Sequence, residues 1–217
     1  MSNYRQKTKQ AYDKIVETYI NKNDGQDKSL LKVRLQKIYK LQGWKDLKEK
    51  KVLELGFGTG RDLELLVANK LSPDSYLGID ISDSMTEHCS KRFPKYNLVA
   101  GDILTYKYPK GEYDLIWASA ILLHLNSGDL KKMLKKMHEA LSKDGIVMIS
   151  MRIKQGRDDK EAGLVRSGKE GERFFAYYTP EEFKAILEKN GFKVLGIERK
   201  FEPDGETEWM FVYGGRV

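Results

Sequence analysis

The stretch Leu53-Glu54-Leu55-Gly56-Phe57-Gly58-Thr59-Gly60 constrains this chain more than any other eight residues in it. An apolar run over residues 52–56 reads as a strand, passes through three glycines at alternate positions, and enters a helix over 61–69 with Leu63, Leu66 and Val67 on one side. Glycines at such a junction let the backbone approach a ligand across the carboxyl edge of a parallel sheet. Many glycine-rich turns only tighten a strand-to-helix connection. Here Asp80 ends the next apolar run, 20 residues beyond Gly60, where a carboxylate can accept both hydroxyls of a ribose. The pair of features predicts a nucleotide-type site.

The rest of the pattern supplies a sheet to carry that site. Short apolar runs alternate with amphipathic stretches from Lys51 onward, as strand and helix alternate in a parallel α/β fold. Strands are predicted at 52–56, 76–80, 97–100, 113–118 and 146–150, and helices at 84–93, capped by Ser82 or Asp83, and at 129–141. Thr179-Pro180-Glu181-Glu182 starts a further helix that ends at Asn190-Gly191. Residues 192–201 and 208–213 flank Pro203-Asp204-Gly205, a turn sequence, so the last two strands should form a hairpin, seven strands in all. A chain of 217 residues, 40% hydrophobic, is long enough to enclose the core such a fold requires.

Charge and cysteine usage narrow the partners. The net charge of +7 lies wholly in residues 1–50, which carry 13 Lys and Arg against 6 Asp and Glu; residues 51–217 are balanced at 26 against 26. Leu31, Leu35 and Ile38 stand at helical spacing in that basic segment, so it reads as a helical cap packed on the 51–217 domain with its lysines in water. An RNA-docking surface is the other reading. Cys89 is the single cysteine, which excludes an internal disulfide and a thiolate metal cluster; no metal site is expected. With no apolar run near the length of a membrane span, the expectation is a soluble, unprocessed, cytoplasmic protein without a membrane partner.

Electrostatics choose among nucleotides. Arg61 stands where a dinucleotide loop wants a small residue, and Glu54 precedes the first glycine. That carboxylate would repel a pyrophosphate but favour a ligand bearing an ammonium and a sulfonium, as S-adenosylmethionine does. The alternative for Glu54 is a strand-end carboxylate satisfied by the N–H groups of the loop. Through Glu54-x-Gly56-x-Gly58-x-Gly60, Gly78-Ile79-Asp80-Ile81-Ser82 and Gly101-Asp102-Ile103, the chain resembles the class I S-adenosylmethionine-dependent methyltransferases from about residue 50 to its end. The resemblance implies a Rossmann-like seven-stranded sheet, mostly parallel with an antiparallel last strand and helices on both faces. It also implies that the glycine loop lies against the methionine part, Asp80 binds the ribose, Asp102 with Ile103 holds the adenine edge, and Ile81 and Met85 lie beside the adenosine. Asp102 read alone is a carboxylate past a third strand end, or a turn former. Tyr12-Asp13 and Tyr19, seven apart, resemble an element that small-molecule members place over the cofactor; as aromatics at helical spacing they are equally core residues.

The corner facing the sulfonium is the end of the fourth strand, Trp117-Ala118-Ser119-Ala120, followed by Leu122-Leu123-His124-Leu125. The Asn/Asp-Pro-Pro-Tyr/Phe run of amino-base methyltransferases is absent there, and Cys89 falls elsewhere, which sets aside cytosine C5 chemistry. His124 resembles a histidine that positions or deprotonates the acceptor, although a histidine among leucines is also an ordinary packed side chain. Residues 152–178 form a mixed-charge stretch expected to cover the acceptor pocket. Within it Arg173 and Tyr177, beside Phe174, Phe175 and Tyr178, are candidates for holding a planar or anionic acceptor, or for core.

These readings converge on methyl transfer to an oxygen or nitrogen of a small molecule, releasing S-adenosyl-L-homocysteine. A tRNA or rRNA methyltransferase using the basic first fifty residues is the alternative, and a non-catalytic cofactor-binding subunit a third. The acceptor and the oligomeric state are not encoded in any motif.

Overall fold

The structure, a computed structural model, describes residues 1–23, 29–154, 163–166, 171–202, 205 and 207–217. Helices α1 (Asn3–Lys14), α2 (Val16–Asn23) and α3 (Ser29–Gln42) precede β1 (Val52–Leu55), α4 (Arg61–Ala68), β2 (Tyr76–Asp80), α5 (Asp83–Arg92), β3 (Asn97–Ala100) and β4 (Tyr113–Ser119). After α6 (Ser127–Ala140) and β5 (Leu141–Arg152) come β6 (Gly163–Arg166), β7 (Glu172–Phe175), α7 (Pro180–Lys189), β8 (Phe192–Phe201) and β9 (Glu208–Arg216).

Seven strands form one sheet in the order β3-β2-β1-β4-β5-β9-β8. The pairs from β3 to β5 are parallel, and β9 runs antiparallel to both β5 and β8. This is the Rossmann-like sheet with an antiparallel last strand, and the strand order reverses between β1 and β4, where open α/β sheets bind their ligands. The expected hairpin of β8 and β9 is present; Pro203 and Asp204 of its turn lie outside the described residues.

Strand alternation divides the core between the two faces. Leu53, Ile116, Val147 and Val212 pack with Leu130, Met133, Leu134 and Met137 of α6 and Phe183 and Leu187 of α7. Val52, Trp117, Met148 and Tyr213 pack with Leu63 and Leu66 of α4, Cys89 of α5, and Leu31, Leu35 and Ile38 of α3. The first fifty residues therefore play two parts. Helix α3 closes the core of one face, whereas α1 crosses the carboxyl edge between β7 and the start of α5. There Asp13 accepts from the Ser82 hydroxyl at 2.6 Å, and the Phe174 N–H donates to the Thr8 hydroxyl at 3.1 Å.

Local signals largely hold. Thr179 caps α7 in a reciprocal box with Glu182, with Pro180 at the first helical position, and Ser82 caps α5 by accepting from Met85 N–H. Two boundaries differ. Helix α6 begins at Ser127, capped by Asn126, rather than at Asp129, and β5 begins at Leu141 rather than Ile146 because Leu141 already pairs with Tyr113 across a bulge. The small β6–β7 hairpin lies inside the predicted loop 152–178; Arg157, Lys160 and Lys169 of that stretch lie outside the described residues. No helix among the described residues is long and apolar enough to cross a membrane.

Candidate functional site

A cavity of about 910 Å3 runs along the carboxyl edge of the sheet. Its floor begins at the glycine loop. The Asp80 carboxylate accepts from Gly58 N–H on one oxygen and from Ser82 N–H on the other, both at 2.9 Å. The loop and the next strand end are thus tied together through this one side chain. Burial pushes Asp80 up to about 6, against the pull of those two N–H donors. At Gly58, φ is +55° and no atom stands within 4 Å of where a Cβ would be, so the backbone lies bare to the cavity. Gly60 is different: with φ +81°, a Cβ there would come within 2.7 Å of the Phe93 ring and 2.8 Å of Cys89 Sγ. It lets α4 pack against α5.

Glu54, only 2% exposed, accepts from the Tyr76 hydroxyl at 2.7 Å. Burial, then the neighbouring Asp62 carboxylate, pushes it up to about 8, with Asp80 adding to the rise and Tyr76 and Arg61 opposing it. The sequence reading placed a standing negative charge here; burial keeps this side chain largely protonated at neutral pH. A cation beside it would favour the anion. Asp62 stays ionised because Arg61, at 2.9 Å, and the Trp117 indole N–H, at 2.8 Å, hold it. Asp102, past the end of β3, accepts from Leu104 N–H at 2.9 Å and pairs with Arg5 of α1.

Above the end of β4 a buried polar chain links the cap to the body. His124 Nδ1 stands 2.6 Å from the Phe174 carbonyl oxygen, which only accepts, so Nδ1 carries the proton. Nε2 then accepts from the Tyr12 hydroxyl at 2.7 Å. Burial pushes His124 down to about 4, so the ring is neutral. Tyr12 meets Tyr19 edge to face at 5.8 Å, and Arg173 donates to the Tyr19 hydroxyl at 3.2 Å with its guanidinium 5.4 Å over the Tyr12 ring. The two tyrosines do not share one helical face as their spacing suggested. The helix breaks at Ile15, and they converge from α1 and α2. Beside them Ala120 holds φ +54°, its N–H donated to Ser150 Oγ at 2.8 Å.

Tyr12, Tyr19, Glu54, Gly56, Gly58, Asp80, Ile81, Met85, Asp102, Ile103 and His124 all line this cavity. Four expected residues do not. Gly60 is turned into the α4–α5 contact, and Ala118 is one step along β4 from Trp117, so its side chain enters the core on the α6 face. Arg173 stands behind Tyr12 and Tyr19, and Tyr177 stacks on Phe175 at 6.3 Å, under the Arg152 guanidinium. Sequence reasoning missed Arg5, Asp62, Ser150 and Arg34. A polar residue closing the apolar run 146–149 marks Ser150, and an acidic residue in the first turn of a helix marks Asp62. Nothing local marks Arg5 or Arg34, whose places depend on how the cap folds back. Among the described residues no group of three or more His, Cys, Asp or Glu side chains is placed to hold a metal ion.

The residues present suit an adenosyl sulfonium ligand: bare backbone at Gly58, a ribose-height carboxylate, and a buried carboxyl poised to ionise beside a cation. Known proteins agree. A family described as Methyltransferase domain matches residues 26–197. An uncharacterized methyltransferase of Oceanobacillus iheyensis is 25% identical over 163 residues, 74% of this chain and 75% of that protein. A phosphoethanolamine N-methyltransferase of Plasmodium falciparum is 25% identical over 182 residues, 75% of this chain and 66% of that one. Among solved structures, the 1,6-didemethyltoxoflavin-N1-methyltransferase of Burkholderia thailandensis, crystallised with 1,6-didemethyltoxoflavin and S-adenosylhomocysteine, superposes with a TM-score of 0.74 at 16% identity. The match covers 100% of this chain and 92% of that chain, and at that identity it speaks for the fold.

Proposed function

Because the chain belongs to the Methyltransferase domain family and is a class I S-adenosylmethionine-dependent methyltransferase, we propose that its acceptor is a small molecule, methylated on oxygen or nitrogen. The observation that carries this reading is the roof. Helix α1 is anchored over the carboxyl edge by Arg5 on Asp102, Asp13 on Ser82 and Tyr12 on His124, leaving a covered cavity of about 910 Å3. That volume is in the range of small-ligand pockets.

In this reading Asp80 takes the ribose, Asp102 with Ile103 the adenine edge, and Glu54 with the glycine loop the methionine part. The bound cofactor supplies an electrophilic methyl group on a sulfonium. The protein's task is then alignment, which is worth about 7–11 kcal/mol when two reactants are held in attack geometry. His124 acts as a positioning residue: its one free lone pair is taken by Tyr12, and it fixes where the Tyr12 oxygen faces the acceptor. Ser150 does the same for the turned backbone at Ala120.

The fold engages part of the basic segment that motivates the RNA reading, which weighs toward the small-molecule one. Of the basic residues in the first fifty, Arg5, Lys7, Lys9 and Lys37 are paired with Asp102, Glu172, Asp13 and Asp83, and Glu198, and Arg34 faces the cavity. Incubation of the purified protein with radiolabelled cofactor, once with a metabolite extract and once with total RNA, tests the proposal. Label is expected in a low-molecular-mass product; label in RNA alone overturns it.

A further inference from the structure

The cavity continues well past the glycine loop. Its far end is formed by β9 and β8, three and four strands from β1 in the sheet, roughly 14 and 19 Å away at the usual strand spacing. There Trp209, Phe211 and Phe201 provide aromatic wall, and two cations, Arg34 from α3 and Lys200 from β8, line it with them. The Arg34 guanidinium lies 3.8 Å over the Phe211 ring.

The pairing of charges around the wall is uneven. All five carboxyl groups that line the cavity hold donors. Glu54 takes Tyr76, Asp62 takes Trp117 and Arg61, Asp80 takes two backbone N–H groups, Asp102 takes Arg5, and Glu202 takes the Trp209 indole N–H at 2.7 Å. Arg5 and Arg61 are thereby paired. Arg34 and Lys200 make no hydrogen bond or ion pair among the described residues. The cost is visible at Arg34, which burial pushes down to about 10. A half-buried guanidinium over a ring in the cavity wall, attracted by the nearby Asp62 and Glu198 carboxylates but hydrogen-bonded to neither, can take a planar anion from outside.

We propose that the methyl acceptor is a small organic acid on a planar or apolar body, its anionic group held by Arg34 and Lys200 over the Phe211 and Trp209 rings. This rests on the small-molecule reading above and adds the charge of the substrate to it. The acid binds at the β9–β8 end, and its reacting atom reaches back toward Tyr12 and the Ser119–Ala120 corner.

Calorimetry on protein loaded with S-adenosylhomocysteine tests this with three probes of one shape: 4-hydroxybenzoate, 4-hydroxybenzamide and 4-hydroxybenzylamine. The acid is expected to bind at least about tenfold more tightly than the amide, and the amine not detectably, as for a charge-assisted contact. Arg34→Gln should remove that preference and Lys200→Gln reduce it, while both variants bind S-adenosylhomocysteine within twofold of the parent. Equal binding of the amide or amine, binding of none of the three, or an Arg34→Gln loss of tenfold or more in S-adenosylhomocysteine affinity overturns the assignment. The last outcome would place Arg34 on the cofactor's own carboxylate. Label transferred to a neutral or cationic metabolite would overturn the acid alone, whereas label in RNA alone would overturn the small-molecule reading beneath it.

Discussion

Glu54 and His124 show how burial reverses what a residue type suggests. Glu54 binds a proton up to about pH 8 in the fold against about 4.5 when unfolded, so between those values the native state holds the extra proton. Its contribution to stability falls as pH rises from 4.5 to 8 and is constant above. A cationic ligand reverses the preference, so binding must expel that proton and affinity for S-adenosylmethionine should rise from pH 6 to pH 8.5. Calorimetry across that range should show the rise in the parent and a flat, weaker profile in Glu54→Gln; parallel profiles would refute the linkage. His124, held neutral with Nε2 occupied, leads to a different expectation. Tyr12→Phe should lower kcat about tenfold or more, with cofactor affinity within threefold. The pH profile of kcat for His124→Asn should keep the parent's shape, since a positioning residue contributes no limb; disappearance of the parent's acid limb would restore the general-base role. Glu54, Asp80 and Asp102 were legible because strand ends impose a spacing on them. The proton on His124 was not, because it depends on the Phe174 carbonyl 50 residues away.

At the scale of elements, the two glycines that flank Thr59 serve different neighbours. Gly60→Ala forces a Cβ against Phe93 and Cys89 at positive φ, and should cost about 1–3 kcal/mol or more in denaturant unfolding. Gly58→Ala meets no protein atom; it should cost about 1 kcal/mol of stability for its φ and weaken cofactor binding far more than Gly60→Ala does. If the two variants lose stability and affinity in the same proportion, this division of labour is wrong. Glycine spacing announced the loop but not which glycine served ligand and which served helix packing, since Cys89 and Phe93 come from another element. The β6–β7 hairpin was illegible for a related reason. Gly163–Arg166 and Glu172–Phe175 have no alternation of their own, and the second strand is ordered by α1, through Thr8 on Phe174 N–H and the Tyr4 ring 4.8 Å from that of Phe174. The break at Ile15 likewise answers to the cap's contacts and leaves no proline or glycine to mark it.

For the molecule as a whole, the alternation of apolar runs and amphipathic stretches was enough to foretell a seven-stranded sheet with a terminal hairpin, because each βαβ step is a local decision repeated. What it did not separate was the basic first fifty residues into a roof and a core helix. Helix α1 buries little apolar surface, Thr8 and Ala11 along its length, and holds by polar anchors; α3 inserts Leu31, Leu35 and Ile38 into the core beside Trp117 and Tyr213. Removing residues 2–23 should therefore leave a protein that unfolds cooperatively, with a modest fall in Tm and a loss of about tenfold or more in affinity for S-adenosylhomocysteine as Arg5, Tyr12 and Asp13 go. Removing residues 2–42 strips three buried aliphatic side chains at about 2–5 kcal/mol each, comparable with the whole stability of a domain of this size, and should abolish cooperative unfolding. Thermal and urea melts of the two truncations decide the matter: if the longer deletion still folds, α3 belongs with the roof, and the family match beginning at residue 26 does not mark the edge of the structural core.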